Sequence, residues 1–187
     1  MPIFKFPPRR DAAPQAAELR LFPLNAVLFP GGTLSLRVFE QRYMTLVKDC
    51  FKQESTFGIC LIAEGAEVGA PAQPHAVGTE ARIVAWDMTQ PGILNITVRG
   101  EDRFRVLTSE ADREGLLHAR VEPLSVEATL PVPEALARLV PLLQAMAADG
   151  GAERFPPPHH FDDAAWVGYR FSELLPIPAI ARQKLLE

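Results

Sequence analysis

The hydrophobic period of this chain changes at Pro123, and that change constrains its fold more than any other feature. Between Leu19 and Pro123 apolar and polar residues mostly alternate; beyond it apolar residues recur at three- and four-residue spacing. A period of two marks strands with one buried face, and a period of 3.6 marks amphipathic helices. Leu34, Leu36 and Val38 alternate with Ser35, Arg37 and Phe39, and Leu94, Ile96 and Val98 with Asn95, Thr97 and Arg99. Leu117, Ala119 and Val121 repeat the pattern. Phe57 to Ala63 is a continuous apolar run, suited to a strand buried on both faces. One helix interrupts the strands after Glu40, with Tyr43, Leu46, Val47, Cys50 and Phe51 on its apolar face. Gly100-Glu101-Asp102 reads as a hairpin turn, with Arg103 to Leu107 as the return strand.

In the C-terminal third, Pro133 suits the first turn of a helix carrying Leu136, Leu139, Val140, Leu143 and Met146, ended by Asp149-Gly150-Gly151. Pro141 lies inside that pattern and is expected to kink it, at a cost of about 3 kcal/mol. Asp162 or Asp163 is placed to cap a helix carrying Trp166, Val167, Phe171, Leu174 and Leu175. A third helix opens at Pro178 and is still running at Glu187, which leaves room for a longer natural chain. The expected organisation is a mobile arm over residues 1–18, a β-rich part over 19–125 and a helical part over 126–187. This is an α+β chain, mainly β followed by α: a many-stranded sheet or barrel, then a small helical bundle.

Composition excludes several classes. A chain of 187 residues is one domain, or one with an appendage, and buries enough surface to need no staples. Cys50 and Cys60 lie in apolar company and read as buried thiols in a reducing compartment. The first ten residues lack the apolar core of a secretory signal. The stretch from Leu21 to Leu36 is uncharged but broken by two prolines and two glycines, so it does not span a bilayer. A soluble cytoplasmic protein is expected, with no membrane partner. A net charge of −4 argues against nucleic acid, whose binders carry a basic field.

Catalytic signatures are missing. No lysine follows a glycine, so there is no phosphate loop, and no serine sits in a Gly-x-Ser-x-Gly elbow. His159, His160, Asp162 and Asp163 form the one cluster with ligand chemistry, but adjacent histidines on an extended segment point apart. A solvated loop is the preferred reading, and neither metal nor cofactor is expected. Arg99, Arg103 and Arg105 form a basic stripe, read as a solvated face paired with Glu101 and Asp102.

One segment carries more specific information. Phe22-Pro23-Leu24-Asn25-Ala26-Val27-Leu28-Phe29-Pro30-Gly31-Gly32, followed by Leu34 to Tyr43 with its Arg37-Val38-Phe39-Glu40-Gln41-Arg42-Tyr43, closely resembles the N-terminal substrate-binding domain of Lon, the ATP-dependent protease. Phe57-Gly58, Val77-Gly78-Thr79, Ala81-Arg82-Ile83 and Gly100 to Phe104 follow in the family's order. Asp162 to Pro178, with Trp166 and Glu173-Leu174-Leu175-Pro176, resembles its helical extension. The resemblance covers residues 19–187 and implies a PUA-like pseudo-barrel followed by helices. Nothing in the sequence resembles the ATPase or Ser-Lys peptidase modules, so the chain looks like a stand-alone Lon N-domain protein or a fragment of one.

The implied function is recognition of polypeptide, an unfolded client or a partner protein, in protein quality control, without catalytic residues. The alternative is a nucleic-acid-binding module, since other PUA-like barrels bind RNA. Pro30, Gly31, Gly32, Arg37, Glu40, Arg42 and Tyr43 are read as scaffold rather than ligand contacts. Glu40 is expected to cap the helix or to bond Arg42 or Arg37. Phe39, on the polar face of its strand, and Trp86 and Met88, near the end of theirs, are the candidate binding surface. The bland reading is that the C-terminal helices cover them.

Overall fold

The computed structural model describes residues 16–125 and 128–187, which leaves most of the expected arm, residues 1–15, outside the described residues. The strands are β1 (Ala17–Leu24), β2 (Thr33–Val38), β3 (Phe57–Glu64), β4 (Gln73–Gln90), β5 (Ile93–Ala111) and β6 (Leu117–Pro123). The helices are α1 (Gln41–Gln53), α2 (Glu134–Ala137), α3 (Val140–Arg154), α4 (Ala164–Leu174) and α5 (Ala179–Leu186). The α+β expectation holds. Ala17 and Glu18, assigned to the arm, pair with β6 as the start of β1.

The sheet runs β2-β5-β4-β3-β1-β6, and β5 also pairs with β6. β5, β4, β3, β1 and β6 therefore close on themselves, with β2 appended outside the ring. Closure requires β5 to serve two neighbours on one edge. Its first half pairs with β2, from Val38↔Leu94 to Thr33↔Arg99, and its second half with β6, from Phe104↔Pro123 to Ala111↔Leu117. All pairings are antiparallel except β1 with β3, which α1 connects as a crossover.

The hairpin expected at Gly100-Glu101-Asp102 is not there: β5 runs straight through. The β4–β5 turn is at Pro91-Gly92, where Gly92 takes a positive φ of 82°. What the glycine marks is a bulge. Between Thr79↔Arg103 and Ala81↔Gly100, β4 advances two residues while β5 advances three. Gly100 is buried against the Phe29 carbonyl, close enough that a Cβ would collide with it. Its N–H donates to Gly32 O at 2.9 Å and its carbonyl accepts from Gly31 N at 2.8 Å. A glycine inside a strand pattern signals either a turn or a close backbone approach, and here it is the approach.

The helical part departs from its pattern in two places. Helix breaks between Ala137 and Val140, and Pro141 becomes the second residue of α3, where it needs no intrahelical N–H bond. The expected kink is a break. α3 then continues through Gly150 and Gly151 to Arg154. Leu143 and Ala147 of α3 pack with Phe155, Trp166 and Val167, so tertiary burial offsets the helix cost of glycine, about 1 kcal/mol each. α4 begins as expected, with the Asp163 carboxylate accepting from Ala165 N at 3.2 Å. α5 docks on the barrel through Leu186 and through Gln183, whose Nε2 donates to Val77 O at 3.0 Å.

The largest core lies between α1 and the sheet. Tyr43, Leu46, Val47 and Cys50 meet Leu36, Val38, Leu94, Ile96 and Val98. A second cluster, Leu21, Cys60, Phe104, Leu117, Ala119 and Val121, fills the other end of the barrel.

Candidate functional site

The motif between Pro30 and Tyr43 packs into the fold at both ends, and each end has its own physical reason. At the first end Gly31 has a φ of 73°, a conformation open to glycine at little cost. Gly32 is overlain by α4: a Cβ there would collide with the Glu173 carboxylate. Arg170, 1 % exposed, lies in the same junction. It pairs with Glu173 at 2.9 Å, donates to Pro30 O at 2.8 Å and lies 5.7 Å from the centre of the Trp166 ring. Burial holds its pKa below the usual arginine value, and Glu173 opposes that shift. The turn, the β5 bulge and α4 thus meet at one point.

At the second end Glu40 precedes α1 with an extended backbone and makes no side-chain cap. Its carboxylate pairs with Arg42 at 2.9 Å instead. Arg42 is buried, donates to Gly115 O at 3.0 Å and lies over the Tyr43 ring. Tyr43 stacks on Phe22, with ring centres 3.8 Å apart, and burial raises its hydroxyl pKa. Arg37 is exposed on the outer side of β2.

The three candidate surface residues are all exposed: Phe39 52 %, Trp86 63 % and Met88 48 %. Two of them share a groove. Trp86 and Met88 line a groove of about 750 Å³ between α1 and the β4–β5 hairpin, and Phe39 does not line it. Trp86 pairs across the sheet with Ile96 and so stands on the face that α1 covers. From α1, Phe51 meets Trp86 edge-on at 5.9 Å. Phe51, expected on the buried face of α1, is 41 % exposed and forms the groove's other wall. Its flanking Lys48 and Lys52 were the signal that this part of the helix faces outward. The groove's neighbours are α1 and the sheet, not the C-terminal helices.

The basic stripe resolves differently from its expectation. Arg99 donates to Pro157 O at 3.0 Å and Arg103 to Leu186 O at 2.6 Å, so both tie the sheet to the C-terminal segment. Glu101 takes Arg82 instead, in a two-pronged pair. Asp163 caps α4, while His159, His160 and Phe161 set their rings against Trp166. Among the described residues no group of three His, Cys, Asp or Glu side chains could hold a metal. No helix among them is long and apolar enough to cross a membrane.

A six-stranded mixed sheet closed through a bulged β5, with α4 seated on a Pro-Gly-Gly turn, defines a recognisable class. The family model for the ATP-dependent protease La (LON) substrate-binding domain matches residues 18–187. The chain belongs to that family. It is similar to a Lon N-terminal domain protein from Xanthomonas campestris, with 38 % identity, a TM-score of 0.75 and coverage of 91 % of this chain and 90 % of that one. The fold is shared at 16 % identity and a TM-score of 0.62 with the N-terminal domain of a Mycobacterium avium complex Lon protease. A Lon protease of Anaeromyxobacter dehalogenans is 37 % identical over 109 residues, which are 57 % of this chain and 13 % of that protein. Protein cereblon of Danio rerio is 27 % identical over 135 residues, 31 % of its length. The chain therefore corresponds to a minor part of these longer relatives.

Proposed function

We propose that this protein is a non-catalytic polypeptide-binding module of the Lon substrate-binding type, with a barrel over 19–125 and a helical part over 126–187. It takes unfolded client or partner segments in the context of proteolysis or protein quality control. The observation that carries this reading is the apolar groove between α1 and the β4–β5 hairpin, where Trp86, Met88 and Phe51 remain exposed beside a complete core. Exposed aromatic side chains grouped in a concavity are characteristic of protein-recognition surfaces. Arg42, Tyr43 and Arg170 serve the scaffold, so neither ATP hydrolysis nor peptide cleavage is assigned to the chain. The nucleic-acid alternative rests on the cluster of Arg99, Arg103 and Arg105; Arg99 and Arg103 donate to backbone carbonyls, which leaves Arg105 as its exposed member.

The test is fluorescence anisotropy of a labelled, permanently unfolded polypeptide, at low and high salt and with single-stranded RNA as competitor. Saturable binding that survives salt and ignores RNA is expected, because burial of apolar surface is little screened. Trp86→Ala should weaken it about tenfold, whereas Phe39→Ala, outside the groove, should leave it unchanged. Binding that disappears with salt or yields to RNA would overturn the assignment.

A further inference from the structure

The groove borders an unused strand edge. β3 pairs with β4 only as far as Phe57↔Ala81, and β4 runs on to Gln90. From Arg82 to Gln90, β4 has β5 on one side and, among the described residues, no strand on the other. An unpaired edge presents a row of N–H and C=O groups to any extended chain laid beside it. Between two register shifts, Ala85, Trp86 and Asp87 pair regularly with Thr97, Ile96 and Asn95, so the edge is straight where Trp86 stands.

Charge on the groove adds a second constraint. Asp49 is engaged by Arg20 at 2.8 Å, while Lys48 and Lys52 form no ion pair among the described residues. The α1 wall is therefore cationic on both sides of Phe51. Side chains of a strand alternate between faces, so every second residue of an added strand would share the face of Trp86 and approach Phe51 and the two lysines.

We propose that the polypeptide bound here is held as an added β-strand along the outer edge of β4 around Ala85–Asp87. Alternate apolar side chains enter the groove, and an acidic side chain meets Lys48 and Lys52. This rests on the polypeptide-binding reading and adds the bound conformation and the charge preference.

The test uses the full chain and a labelled nine-residue peptide of alternating leucine and threonine with one central glutamate. Two further versions carry backbone N-methyl groups on the odd or on the even residues. In a strand, N–H groups of alternate residues point to opposite edges, so one methylated version should bind at least about tenfold more weakly and the other nearly normally. Lys48→Glu with Lys52→Glu should weaken the glutamate peptide several-fold and favour the version with lysine in its place. Circular dichroism of that variant shows whether it folds. Equal behaviour of the two methylated versions, or no charge reversal in a folded variant, overturns the strand proposal while polypeptide binding stands. If neither the peptide nor an unfolded protein binds, the underlying reading falls with it. A concentration-dependent dimer that Trp86→Ala breaks and that excludes the peptide would assign the edge to a second copy and overturn the proposal as well.

Discussion

Gly100→Ala separates a turn glycine from a packing glycine. Gly100 is not among the glycines with positive φ, so in an open hairpin turn alanine would be tolerated or would stabilise by about 0.4–1 kcal/mol through the unfolded chain. In the bulge it has no room. A Cβ would collide with the Phe29 carbonyl oxygen and stand 3.0 Å from its carbon and 3.2 Å from Leu28 Cγ. Backbone cannot rotate away as a side-chain tip can. Relief requires moving the segment that carries Leu28 and Phe29, at about 1–3 kcal/mol for overpacking. It also strains the bonds with Gly31 and Gly32, each contributing about 1 kcal/mol. The sum is about 3–5 kcal/mol if both bonds are lost, equivalent to a fall in Tm of about 6–20 °C for a domain of this size. Chemical denaturation checked by calorimetry measures it. A loss below 1 kcal/mol would refute the close-approach account.

Four further outcomes are expected. Arg170→Met removes the cation but leaves Glu173 and the Pro30 carbonyl at the junction, and should cost about 3–5 kcal/mol, with faster hydrogen exchange in α4. Glu80 accepts from Thr56 Oγ1 at 2.9 Å, yet burial raises its pKa above the usual 4.5. A carboxyl that holds its proton more tightly when folded makes stability fall as pH rises from the unfolded value through the folded one. Glu80→Gln should flatten that fall, as urea titrations across pH 4–8 would show. Burial pushes the Cys60 thiol up to about 12 and raises that of Cys50, so neither should react with a disulfide reagent at pH 8 until denaturant is added. Trp86→Ala, at an exposed position, should change stability by less than about 1 kcal/mol while weakening the client, which separates groove from core.

Much of the fold was legible in local pattern. The alternation of Leu34, Leu36 and Val38, the helical spacing from Tyr43 to Cys50 and the cap at Asp163 are each decided by neighbours within a few residues. Trp86 and Met88 were legible as a surface for a similar reason: large apolar side chains near a strand end, beyond the reach of a closed core. Phe51 was legible only through its flanking Lys48 and Lys52, because helical spacing assigned it to the covered face. How far α1 overlaps the β4–β5 hairpin is set by the sheet.

Period and capping are local properties of the chain, so most strands, helices and punctuation marks can be read along it. The sequence also carried the family motif from Phe22 to Tyr43. The tertiary structure alone decided what the punctuation means. Gly100 is a bulge and not a turn because Phe29, seventy-one positions earlier, lies against it. Pro141 starts a helix and does not kink one, because its segment is held by packing onto Trp166. Arg99, Arg103 and Arg170 tie the barrel to the C-terminal segment because the carbonyls they bond are distant in sequence. A cation's partner is chosen by which backbone groups the fold leaves unsatisfied beside it, and that is known only once the chain has closed.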